Sequence, residues 1–144
     1  MAIKLADAYR AIQAVQAKAS SLALEISIAV CDADGCLVAF QQMDGAFAEA
    51  NRASIGKALA SVRSGRPSGD QSIESRNDFR ASTVIGEGFM PLRRPGGSPI
   101  IRWDQVDGAL GVSGAHSDEQ DEECAFAGIV ALQGEAYVQN KKHS

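Results

Sequence analysis

The chain has 144 residues, 45% of them hydrophobic, a length that buries one core without covalent staples and leaves little for a second domain. Its formal charge of -4 at pH 7 provides no surplus of cations to set against a phosphate backbone, so nucleic acid is set aside as a partner. No apolar run reaches bilayer length, and Met1 to Asp7 lacks the basic and long apolar stretches of a secretory leader, so the expectation is a cytoplasmic protein with no membrane partner.

Leu5, Ala8, Ile12, Val15, Ala19 and Leu22 recur every three or four positions, which predicts an amphipathic helix over 5–22. Ile26 to Cys31 reads as a largely buried strand, Asp32-Ala-Asp-Gly35 as a turn, and Cys36 to Met43 as the returning strand of a hairpin. The alanine-rich segment Phe47 to Val62 predicts a second helix that stops near Gly65-Arg66-Pro67, and its alanines with Gly56 imply close packing. Residues 68–85 read as a short helix capped by Ser68 or Ser72. Three of the four prolines crowd into 86–99, a loop with room for only a very short edge strand near Phe89. A second hairpin follows, Ile100 to Trp103 and Val106 to Ser113 about a turn at Asp104-Gln105, and then a helix from about Asp118 to Tyr137. Asp118, Glu119, Asp121 and Glu122 suit the positive end of that helix, and 139–144 reads as a disordered tail after a domain spanning 1–138. Cys31, Cys36 and Cys124 are odd in number, form no CxxC pair and read as reduced core thiols. This order favours an α+β fold with an antiparallel sheet over a doubly wound parallel one.

Six stretches, in one order, resemble the GlcG/HbpS family, which includes the C-terminal domain of PduO-type proteins. They are Ile26 to Gly35, Met43-Asp-Gly-Ala46, Gly56-Lys-Ala58, Pro99-Ile100, Asp107 to Gly114 and Gln120 to Ala125, and together they cover nearly the whole chain. The resemblance implies a profilin-like fold in α/β/α layers, a five-stranded antiparallel sheet with helices on its faces, and a homo-oligomer. It also implies a link to haem binding, to sensing of haem degradation or to the catabolism of small organic acids. Two places depart from the pattern. Ser113-Gly-Ala-His116 carries a histidine where many relatives have Ser-Gly-Gly-Thr or Ser-Gly-Ala-Pro, and 77–94 is unlike the usual glycine-rich stretch.

His116 sits at a strand-to-helix junction, where an imidazole can serve as general base or, if haem is bound, as its metal ligand. His143 belongs to the tail. Gly111-Val-Ser-Gly-Ala115 lacks the last glycine of a nucleophile elbow, so Ser113 reads as a small residue lining a ligand site. Lys57, in an otherwise apolar helix, is placed to meet a carboxylate or propionate, or else to snorkel. Asp44 reads as a turn-former with a secondary candidacy for ligand binding, and Arg93, Arg94 and Arg102 as carboxylate binders. Glu87, between two glycines, is the second candidate acid or base.

Two functions follow. One is binding of haem or a similar planar anionic ligand; the other is cofactor-free acid/base chemistry on a small organic acid, with His116 or Glu87 moving a proton and basic residues orienting a carboxylate. Either reading requires His116 and Lys57 to face one cavity, with Glu87, Arg93, Arg94 or Arg102 in reach. The resemblance and the apolar residues a lone domain would expose, Trp103 among them, predict an oligomer. Light scattering at micromolar concentration is expected to give a mass above that of one chain, and a monomer mass would refute it.

Overall fold

In a computed structural model, residues 2–70 and 89–143 are described, the side chains of 135–143 excepted. The elements are α1 (Leu5–Ser21), β1 (Ser27–Asp32), β2 (Leu37–Gln42), α2 (Ala48–Ser64), a 3-10 turn (Ser68–Asp70), β3 (Gly97–Arg102), β4 (Gln105–Ser113) and α3 (Asp118–His143). The strands form an antiparallel sheet in the order β2-β1-β4-β3.

Helices cover both faces of this sheet: α2 packs on one, α1 and α3 on the other. Side chains alternate along each strand, so β1 sends Ile28 and Val30 toward α1 and α3 and turns Ala29 and Cys31 toward α2. That double cover is why β1 reads as an unbroken apolar run. The larger core joins Ile12 and Val15 of α1, Cys124 and Ile129 of α3, and Ile28, Val30, Leu110 and Val112 of the sheet. The α2 side is built from smaller groups. A Cβ on Gly111 of β4 would overlap the Ser54 carbonyl oxygen, and one on Gly97 of β3 would overlap that of Lys57, so the backbone of α2 lies almost on the strands.

Several boundaries differ from the expectation. Four strands, not five, are present among the described residues. Residues 89–93 form no strand: Pro91 has no N–H to donate, and Leu92 N–H donates to Gly56 O at 2.8 Å, which lays the segment along α2. Of the short helix expected over 68–85, Ser68–Asp70 is a 3-10 turn and the remainder lies outside the described residues. β3 begins at Gly97 rather than Ile100 and accommodates Pro99 because it is an edge strand. The second hairpin turns at Trp103-Asp104, one residue early, with both residues at positive φ (54° and 60°) as a tight two-residue turn requires. Helix α3 continues to His143, interrupted at Gly134 (φ 69°), where a terminal tail was expected. Cys31 and Cys124 are buried thiols, pushed up by burial to about 12 and about 11, whereas Cys36 is exposed in the first hairpin.

Gly111→Ala is expected to destabilise the protein by about 2–3 kcal/mol, because the added methyl must push α2 off the sheet. Urea unfolding with an unchanged m-value and a lowered midpoint would register this.

Candidate functional site

A cavity of about 360 Å³ lies where β4 ends and α3 begins, against the flank of α2. Strand β4 delivers Ser113 to its edge. Gly114, at φ 112°, then turns the chain away from the sheet, a backbone angle that favours glycine. Ser117 caps α3, its Oγ accepting the Gln120 N–H at 3.2 Å. The first turns of α3 hold the loop between from behind, with Gln120 Oε1 accepting the His116 N–H and Asp121 Oδ1 the Ala115 N–H, each at 3.0 Å. His116, an exposed residue that lines the cavity, is thereby fixed by its backbone.

Lys57 enters from α2. Its ammonium donates to Val112 O and to Asp121 Oδ2, both at 3.0 Å, and the two side chains are only 4% and 8% exposed. This is an interior ion pair and not a snorkelling lysine. Burial pushes the Asp121 carboxyl above its ordinary range, and the charge and hydrogen bond of Lys57, with the Ala115 N–H, pull partly back. Two of the three ammonium protons and the formal charge of Lys57 are thus already engaged within the protein. Arg94 differs: it lines the same cavity, is 64% exposed, and among the described residues makes a surface pair with Asp118 at 3.2 Å. Ser68, buried beneath it, donates from Oγ to Arg94 O and accepts the Gly97 N–H at 2.8 Å, which anchors the Arg94 backbone.

The cavity therefore brings together Lys57, Arg94, Ser113 and His116. Arg93 is half-buried and does not line it. Asp44 is exposed in the turn after β2, away from the lining. Arg102 stands at the opposite end of the sheet from the cavity, where it bridges Asp107 Oδ2 at 2.7 Å and Asp7 Oδ2 at 3.1 Å. Glu87 lies outside the described residues. Sequence reasoning missed Asp121, which it grouped with its acidic neighbours as favouring the helix start. A buried lysine does demand a counter-charge, but with Asp118, Glu119, Asp121, Glu122 and Glu123 all available, only the packing of α3 selects one. Among the described residues, no three His, Cys, Asp or Glu side chains gather as a metal site, and no helix is long and apolar enough to cross a membrane.

A family model described as haem degrading protein HbpS-like matches residues 3–130. The chain belongs to the HbpS-like family. Among solved structures, Klebsiella pneumoniae protein ORFY is 27% identical with a TM-score of 0.75, the alignment covering 90% of each chain. A double mutant of Streptomyces reticuli HbpS is 25% identical with a TM-score of 0.80, over 92% of this chain and 88% of that one. A PduOC:heme complex, at 21% identity and a TM-score of 0.74 over 92% and 96% of the two chains, shares the fold. A search of curated proteins finds no match. The HbpS-like relatives share the α+β architecture of an antiparallel sheet with helices packed on it.

The Lys57–Asp121 pair yields a prediction with a definite sign. Lys57→Met leaves a carboxylate buried without its partner and is expected to cost about 3–5 kcal/mol at pH 7, more than a Lys57→Met/Asp121→Leu double variant. In the single variant the folded-state pKa of Asp121 rises further above its unfolded value, so the folded protein holds the extra proton and stability falls as pH rises between those two values. Denaturant unfolding should therefore find the single variant less impaired at pH 4 than at pH 7.

Proposed function

We propose that this protein binds a planar anionic small molecule, with haem the best fit, in the cavity beside His116. The observation that carries the reading is that two exposed residues, His116 and Arg94, line one cavity with the backbone of a small-residue loop. The residues suit haem in kind. His116 offers an imidazole nitrogen of the type that ligates haem iron, Arg94 a planar cation for a propionate, and Ala53, Gly114 and Ala115 a lining low enough for a flat ring to approach. When bound, haem would bring a redox-active iron to the site. The protein's own part is to present His116 from a loop held by Gln120 and Asp121, and to direct the anionic edge toward Arg94. Lys57, already neutralised by Asp121, acts as wall and polariser more than as a free cation. Membership of the HbpS-like family supports the same reading. The acid/base alternative rests on His116 or Glu87 as the proton carrier, and no specific observation favours it.

Hemin titration should give a saturable Soret shift at about one equivalent. His116→Ala should abolish that coordination while moving the melting temperature by no more than about 2 °C, since an exposed residue contributes little packing. A wild-type protein that ignores hemin would refute the proposal, as would a His116→Ala variant with an unaltered Soret spectrum.

A further inference from the structure

The His116 cavity adjoins a second one. Ala53 of α2 and Leu92 line both, and beyond them lies another space of about 360 Å³ walled by Phe89, Met90, Pro91 and Leu92, with Glu49 and Arg52 at its rim. The two differ in character. The first presents Lys57, Arg94, Asp118, Asp121 and His116, whereas the second is floored by apolar side chains.

The apolar wall is held in place by main-chain contacts. Leu92 N–H donates to Gly56 O at 2.8 Å, and a Cβ on Gly56 would come within 2.6 Å of Met90 O, so the 90–92 backbone rests directly on α2. Phe89 packs with Phe40 against Ala29, Ile55 and Leu59. Met90, by contrast, is 63% exposed, an apolar and adaptable side chain left in water beside an apolar cavity.

Resting on the binding reading above, we infer that the two cavities form one divided site whose ligand is an amphipathic carboxylate. Its anionic end lies on the Arg94 and His116 side, and its apolar body crosses Ala53 and Leu92 onto the surface of Phe89 and Met90. Each cavity alone stands at the small end of ligand pockets, which span roughly 300–1,000 Å³, whereas the two together accommodate a ligand of haem size. Charge and polarity orient it: Arg94 and His116 line the first cavity, whereas in the second Arg52 shares the rim with Glu49, whose opposite charge offsets it, and the floor of Phe89, Met90, Pro91 and Leu92 is the broader apolar surface.

The test uses Met90→Glu, which alters an exposed residue outside the polar cavity, and Met90→Leu as the conservative control. Hemin is followed by absorbance, and butyrate and dodecanoate by calorimetry. For the wild type, dodecanoate should bind at least about tenfold more tightly than butyrate. Met90→Glu should weaken both hemin and dodecanoate at least about tenfold, leave butyrate unchanged and keep the wild-type unfolding midpoint, and Met90→Leu should retain wild-type affinities. Hemin bound equally well by wild type and Met90→Glu would overturn the divided site while leaving the binding reading intact. A wild type that binds none of the three probes would overturn both.

Discussion

An ammonium group inside a protein must find its counter-charge there, because the water it gave up cannot be replaced by apolar neighbours. Lys57 and Asp121 meet that requirement across the layers of this fold: the lysine comes from α2, on one face of the sheet, and the aspartate from α3, which packs on the other. Their contact is made past the end of β4, where Val112 O takes a second ammonium proton. The other oxygen of Asp121 takes the Ala115 N–H. One carboxylate thus ties α2, the last strand, the His116 loop and the start of α3 to a common point, and the candidate site is built around it.

That pairing depends on how near α2 can come to the sheet. Gly97 and Gly111 let the helix backbone lie on β3 and β4, and Gly56 lets the 90–92 segment lie on the helix in turn. A layer spacing set by backbone contact tolerates few added atoms, in contrast to the opposite face, where Ile12, Val15, Leu110 and Ile129 interdigitate. The α2 face therefore carries the site and the α1–α3 face carries most of the large-side-chain core. Polar groups gather at one end of the sheet, around Ser113 and His116. The other end is closed by Arg102 bridging Asp7 and Asp107, where burial of Asp7 is more than offset by the hydrogen bond and charge of Arg102, so that its carboxyl sits below the ordinary range.

Exposure separates the two cations at the cavity. Lys57 is buried and satisfied, so its role is to hold geometry and contribute a balanced local field. Arg94 is solvent-facing, and its pair with Asp118 among the described residues lies at the surface, where such a pair contributes little. The division follows from chemistry, since a planar guanidinium is weakly hydrated and binds carboxylates through two parallel bonds, while a lysine ammonium is a compact charge that one buried carboxylate can neutralise.

The local patterns were sufficient for what depends on near neighbours: the apolar stripe of α1, the unbroken run of β1, the stop of α2 at Gly65 and the glycine turn after Asp32 are each a matter of a few consecutive residues. The ordered stretches from Ile26 to Ala125 also identified the family. Other features depended on residues far apart in the chain. Which of five adjacent carboxylates serves Lys57, why Arg102 bridges two aspartates while Arg94 lines the cavity, and why the segment at Phe89 lies on α2 without joining the sheet were all decided by packing. Each turns on which groups lose water together, and a linear sequence records residue types without recording which distant ones share an interior.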